Sequence, residues 1–344
     1  MTALPPGKVT SFDIAYLAGV SQPTVSRALR GDRAVSLATR ERIERIAREL
    51  NYAVDKNASS LRSQRSNTIA LLFFEDPTPD AGHINPFFLT MLGSITHAAS
   101  ARGLDLLVSF QRMEDDWHTR YQDSHRADGL VLLGYGDHVV YQDRLRQLAK
   151  QGTRFVRWGP VDECGSAVVG SDNYGSGRLV GEHLMAIGCR HIAFLGQADG
   201  SYPEFEARFQ GLASVLEEAG CTFPAQQNAL NSEEEGYAAI GALLKRGVRV
   251  DAVFAGSDTI AIGALRALAD RGIAVPDQVA VVGFDKIPAA ALTSPPLTTI
   301  MQDTAKAADA LVGALVQQIN TGDAEGLVLP TALIVRGSTS RRST

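Results

Sequence analysis

Several protein classes are excluded by what this sequence lacks. Cysteine occurs three times in 344 residues, at Cys164, Cys189 and Cys221. An odd, widely spaced set makes neither a disulfide framework nor a zinc knuckle, so these thiols read as small buried hydrophobes. No uninterrupted apolar run reaches 18 residues, and MTALPPGKVT contains no apolar h-region; the expectation is no membrane span, no secretory leader and a cytoplasmic protein. There is no G-x-x-x-x-G-K-[ST], no H-E-x-x-H and no G-x-S-x-G. A phosphate-cradling loop, a metalloprotease helix and a hydrolase elbow therefore each lack their residues. GSDNYGSGRLVG comes near a dinucleotide fingerprint, but Val180 stands where the third small residue belongs, so the stretch reads as a turn opening a helix. His118 and His125 sit seven apart, without a cysteine or an acid pattern of metal-ligand spacing near them. The chain reads as a binding protein rather than an enzyme, with no metal and no cofactor.

What is present is an ordinary globular composition, 45% hydrophobic and 21% charged, long enough for two or three domains. The net charge of -5 conceals an asymmetry. Residues 1–66 hold 11 Lys plus Arg against 6 Asp plus Glu, a net of +5, while residues 67–344 hold 22 against 32, a net of -10. A basic module on an acidic body points to a polyanionic partner for the first 66 residues alone.

Within that module, VTSFDIAYLAGVSQPTVSRAL (9–29) reads as helix, glycine turn, helix. Thr10 and Asp13 have capping-box spacing; Ile14, Leu17 and Ala18 form an apolar stripe; Gly19 suits a reversal, and Ser21 offers a second N-cap before Val25 and Leu29. The second helix keeps amide, hydroxyl and guanidinium groups outward and has no acid, the equipment of a major-groove reader, although a plain helical hairpin shares the periodicity. Ser36 caps a third helix whose Ile43, Ile46, Ala47 and Leu50 recur on one stripe. NASSLRSQRSN follows, either a polar interdomain linker or a hinge that becomes helical on DNA and drives Leu61 into a minor-groove step.

From Thr68 the pattern becomes short apolar runs, such as IALLFF (69–74), GLVLLG (129–134), HIAFLG (191–196) and VAVVGFD (279–285), alternating with amphipathic segments. This predicts an α/β body of two similar lobes with buried parallel sheets, ligands lying beyond the carboxyl ends of the strands.

With these segments in order, the chain resembles the LacI/GalR family of bacterial transcription regulators over nearly its full length. The 9–29 stretch is similar to that family's headpiece, NASSLRS to its hinge helix, and NPFF (85–88), ADGLVL (127–132), SDNYGSGRL (171–179), RFQG (208–211), FAGSDTIAIGAL (254–265), VPDQVAVVGFD (275–285) and LIVRGST (333–339) to its body blocks. The resemblance implies a helix-turn-helix headpiece at 1–56, a hinge at 57–66 and a periplasmic-binding-protein-like, effector-binding and dimerisation domain at 67–344. Its lobes would run near 67–170 plus 301–327 and 171–300 plus 328–344. It implies a homodimer that binds a near-palindromic double-stranded operator, most simply as a repressor, under control of a small effector. A sugar or glycoside is the first choice for that effector and a purine or nucleoside the second; a sugar-binding α/β protein or enzyme without regulatory role is the alternative class. Two departures stand out: Tyr52 is followed by Ala53 where the family has proline, and Ser257-Asp258 replaces its usual Asn-Asp.

Residue by residue, the resemblance places base reading at Gln22, Pro23, Arg27 and Leu61, and phosphate contacts at Thr10, Ser21, Thr24 and Ser26. In the cleft it places Arg208 and Asp285, a pair suited to vicinal hydroxyls. Asp76, Asn85, Phe87, Trp158, Asn231 and Asp258 follow as further cleft positions. Trp158 would stack on a pyranose or fill a domain interface, and Asp172 would serve the cleft or cap a helix.

Overall fold

The computed structural model describes residues 9–29, 31–52, 65–73, 84–110, 116–134, 138–160 and 167–340. The chain divides into two compact units, Met1–Ser66 and Asn67–Thr344.

In the first unit, helices α1 (Ser11–Ala18), α2 (Gln22–Leu29) and α3 (Leu37–Glu49) enclose a small core. Thr10 donates its backbone N–H (2.8 Å) and its hydroxyl (2.7 Å) to the Asp13 carboxylate. These bonds satisfy a donor that the helix start leaves open and hold Asp13 below the usual carboxylate range. α1 ends at Gly19, whose φ of 62° lies in the left-handed region that glycine enters without steric cost. Val25 and Ala28 pack with Ile14, Ala15, Ala18, Val35, Ile43 and Ala47. Leu17, expected in the apolar stripe of α1, is 46% exposed, and Ala15 is buried instead. At about 100° per residue Ala15 falls on the Ala18 side of Ile14, whereas Leu17 falls on the opposite flank.

The second unit contains two sheets. β1 (Thr68–Phe73), β2 (Asp105–Phe110), β3 (Gly129–Leu133), β4 (Phe155–Trp158), β5 (Ala167–Ser171) and β11 (Leu327–Leu329) form the first, entirely parallel, in the order β11-β5-β4-β3-β1-β2. β6 (Ile192–Leu195), β7 (Ala225–Gln227), β8 (Ala252–Ala255), β9 (Ala280–Asp285), β10 (Thr298–Met301) and β12 (Ala332–Ile334) form the second, in the order β12-β10-β9-β8-β6-β7, with β12 alone antiparallel. Every residue of β3, β8 and β9 is buried, because helices cover both faces of a parallel sheet. α4 (Pro86–Ala101) and α5 (His138–Lys150) belong to the first lobe, and α6 (Asn173–Ala186), α7 (Pro203–Glu218), α8 (Glu233–Lys245) and α9 (Asp258–Asp270) to the second. α10 (Thr304–Thr321) returns to the first lobe, against α4 and β3 to β5.

The chain thus passes between lobes after β5, after β10 and between β11 and β12. Strand register sets the passing points: Leu329 pairs with Ser171 in the first sheet, and Met301 with Asp285 in the second. Ser171, Val328 and Leu329 accordingly lie in the first lobe and Met301 in the second, each one or two residues from the boundary expected. No helix among the described residues is long and apolar enough to cross a membrane.

Glycines bring the helices of the second lobe together in pairs. A Cβ on Gly177 of α6 would collide with the Arg208 carbonyl of α7, and one on Gly211 with the Tyr174 carbonyl. α8 and α9 repeat the device, Gly236 against the Ile260 carbonyl and Gly263 against that of Glu233. Gly177→Ala therefore has to push α7 off α6, at a cost of about 1 to 3 kcal/mol. Gly93→Ala in α4 meets open space and is expected to be neutral or stabilising by up to ~1 kcal/mol. Urea unfolding of the two variants checks the contrast, and equal stability would refute the packing argument.

Candidate nucleic-acid interface and ligand cleft

α2 displays the side chains expected to face DNA. Pro23 and Arg27 are exposed, and Gln22, Thr24 and Ser26 are partly exposed. The Gln22 amide donates to the Ser11 hydroxyl at 3.1 Å, which ties the starts of α2 and α1 together. The Ser21 and Thr24 hydroxyls pair at 2.8 Å, so both are held at the start of α2. Arg40 donates to the carbonyls of Gly31 (3.2 Å) and Asp32 (2.7 Å), which pins the loop leaving α2. On α1, Phe12 and Tyr16 are 70% and 76% exposed; their i, i+4 spacing makes one outward aromatic ridge that the stripe reading passed over. Leu61, assigned to the minor groove, and Asp76, assigned to the cleft, lie outside the described residues.

In the body, Arg208 and Asp285 come together at the carboxyl end of the second sheet. Arg208, on α7, is 1% exposed. Its guanidinium lies 3.5 Å over the Phe284 ring, its Nε donates to Asn173 Oδ1 at 2.9 Å, and its Nη1 donates to the Gly256 carbonyl. Asp285 closes β9 with φ at 107°, a strained conformation outside glycine. Its Oδ1 accepts from Gln302 Nε2 at 2.7 Å. Burial pushes Asp285 up to about 7, against the opposing pull of Arg208 and of the Gln302 bond.

The other expected cleft residues divide into two groups. Asp258 uses both oxygens within the second lobe: the Thr299 hydroxyl donates to one at 2.6 Å and the Ile287 N–H to the other at 2.8 Å. It braces the start of α9 against the segments around β9 and β10, and burial, then the neighbouring Asp285, raises it well above the usual range. Asn231 accepts from Ser257, the N-cap of α9, at 2.6 Å. Asp172 caps α6 through the Gly175 N–H at 2.8 Å, and Asn85 caps α4 through the Phe87 N–H at 2.9 Å. Phe87 and Trp158 are 1% and 5% exposed, with ring centroids 5.9 Å apart; they pack on each other in the first lobe, which leaves little ring face for a ligand. Asn173 and Gln302 were missed as partners of the central pair, since a lone amide after a strand carries no spacing signal.

Both raised acids retain protons in the folded state that the unfolded chain has released. Between the ordinary value of 3.8 and about 7 for Asp285, the native state binds more protons, so stability falls as pH rises across that window. The slope is at most ~1.4 kcal/mol per pH unit for each acid. Urea unfolding across the window is expected to show this decline, and Asp285→Asn to flatten it; an unchanged slope in the variant would overturn the assignment.

Two family models match the chain. "Bacterial regulatory proteins, lacI family" covers residues 12–55, and "Periplasmic binding protein-like domain" covers residues 182–339. The ribose operon repressor of Escherichia coli K12 is 30% identical over 96% of this chain and 99% of its own. The HTH-type transcriptional regulator CelR of Thermobifida fusca is 33% identical over 94% and 96%. Among solved structures, a CelR–cellobiose complex aligns with a TM-score of 0.70 at 32% identity, covering 96% of this chain and 99% of that one. A lac repressor dimer bound to operator and the anti-inducer ONPF aligns with a TM-score of 0.81 at 25% identity, covering 97% and 99%. With a three-helix basic unit, a two-lobed body and full-length relatives at this identity, the chain belongs to the lacI family of bacterial regulatory proteins.

Proposed function

We propose that this protein is a ligand-gated transcriptional repressor of the cytoplasm. Two copies bind a near-palindromic operator through α2, and a polyhydroxylated effector held by Arg208 and Asp285 changes that affinity. One observation carries the reading: a basic unit with an acid-free, outward α2 shares a chain with a body that buries an arginine and an acid together at the ends of its strands. The first suits phosphates and base edges. The second suits vicinal hydroxyls, which donate to the carboxylate and accept from the guanidinium. Relatives whose names refer to ribose and to a cellobiose complex support a carbohydrate over a nucleobase. The protein acts by binding, not by turnover. An effector moves the operator equilibrium only by its differential affinity for the two lobe arrangements.

Arg27→Ala is expected to weaken operator binding by about 1 to 3 kcal/mol and to relax preference at one base pair. Fluorescence titration on operator and random duplexes reads this, and equal losses on both would remove Arg27 from base reading. A sugar panel screened by thermal shift, then by operator titration, is expected to yield an effector whose action Asp285→Ala abolishes while DNA binding survives. Because the carboxylate accepts hydroxyls fully only when ionised, effector affinity is expected to rise as pH passes upward through about 7. A pH-independent affinity would place the ligand elsewhere.

A further inference from the structure

The chain passes between the lobes three times, and little of it is free at each passage. β5 ends at Ser171 and Asp172 already caps α6; β10 ends at Met301 and, after Gln302, Asp303 caps α10. The third passage has Pro330 and Thr331 between β11 and β12, and neither caps a helix. Thr331 is nevertheless fastened. Its hydroxyl lies 2.7 Å from that of Ser176, a fully buried residue of α6 in the second lobe. Ser176 donates its single hydroxyl proton to the Asp172 carbonyl, so within the pair Ser176 accepts and Thr331 donates. On the other side, Leu329 pairs with Ser171 in the first sheet, and its carbonyl accepts from the Asp172 N–H at 3.0 Å. Only Pro330 is left between the two anchors, and its ring fixes φ.

We propose that the Thr331–Ser176 bond is a clamp that confines bending of the third passage to Pro330 and thereby narrows the range of lobe arrangements. Both side chains are positioning residues, since they touch neither DNA nor the Arg208–Asp285 pair. A hinge absorbs lobe motion in a few backbone dihedrals. With the clamp made, the third passage offers ψ of Pro330 alone; with it broken, φ and ψ of Thr331 are added. The consequence for DNA rests on the reading that operator binding depends on lobe arrangement. Freedom left in the hinge then has to be removed when the operator is bound, and a hinge ordered in advance avoids that entropic cost. Changing Thr331 leaves the Ser176 proton on the Asp172 carbonyl, so no buried donor is orphaned and Thr331→Val is expected to fold.

The test is double electron–electron resonance on the full chain, with nitroxides on ketone-bearing residues introduced at the exposed positions Gln147 of α5 and Glu217 of α7, one in each lobe. Labelled chain is diluted in unlabelled chain, so that only distances within one protomer are read. The wild type and Thr331→Ser, which keeps the donor, are expected to give one narrow distance distribution, and Thr331→Val a broader one. On an operator duplex selected from a random pool, Thr331→Val is expected to bind about 2- to 10-fold more weakly, the equivalent of one ordinary hydrogen bond. Its binding to random duplex stays unchanged, and Thr331→Ser restores the operator affinity. Equal widths in the wild type and Thr331→Val, or a Thr331→Ser distribution as broad as that of Thr331→Val, would overturn the clamp. A broadened distribution with unchanged operator affinity would leave the clamp in place and refute instead the dependence of operator binding on lobe arrangement.

Discussion

A guanidinium that is almost wholly buried must find its partners inside the protein, because the water it gives up solvates it far better than an apolar interior does. Arg208 meets that demand with the Phe284 face, the Asn173 amide oxygen and the Gly256 carbonyl. Those groups come from β9, from the first residue of α6 and from the turn after β8. They converge only because α6 and α7 approach closely enough for Gly177 to face the Arg208 carbonyl with no side chain between them. The second lobe is in this sense packed around one charge. Asp285 then sits beside a fixed cation, and Gln302, which holds it, lies in the segment leaving the second sheet for α10 of the first lobe. A ligand bond to Asp285 would therefore bear on a crossover between lobes, which is where a closure signal has to pass.

The two units handle their polar side chains in opposite ways. In the first, a core of eight small and branched residues supports the helices, and Arg27, Pro23, Phe12 and Tyr16 face outward. Such side chains contribute little to folding, so substitutions there have small effects on stability. In the cleft the polar residues are buried and mutually paired. Changing one leaves another unsatisfied, so substitutions there act on the stability of the lobe.

How far the sequence could be read follows from the range of the forces involved. The Thr10–Asp13 box, Gly19 and the Ser36 cap act over three or four residues, and the structure has them. The apolar runs marked the long strands, but β7, β11 and β12 have three residues each, and AQQ in β7 has no apolar run to find. Asp258, Asn85 and Asp172 are polar residues after strands, as cleft residues are, yet each holds a helix start or a loop. Local pattern cannot separate those roles, because a carboxylate that caps and one that waits for a ligand occupy the same place in sequence.

The sequence by itself determined the order of helices and strands, the division of charge between a basic unit and an acidic body, and the family to which the motifs point. Each of these depends on periodicity, capping or composition, properties carried by neighbouring residues. Only the tertiary structure decided which polar groups are buried and whom they meet: Arg208 with Phe284 and Asn173, Asp285 with Gln302, Asp258 with Thr299. Burial is a property of distant segments packed together, and the energies that make these groups matter, desolvation and pairing at low dielectric, exist only once that packing is complete.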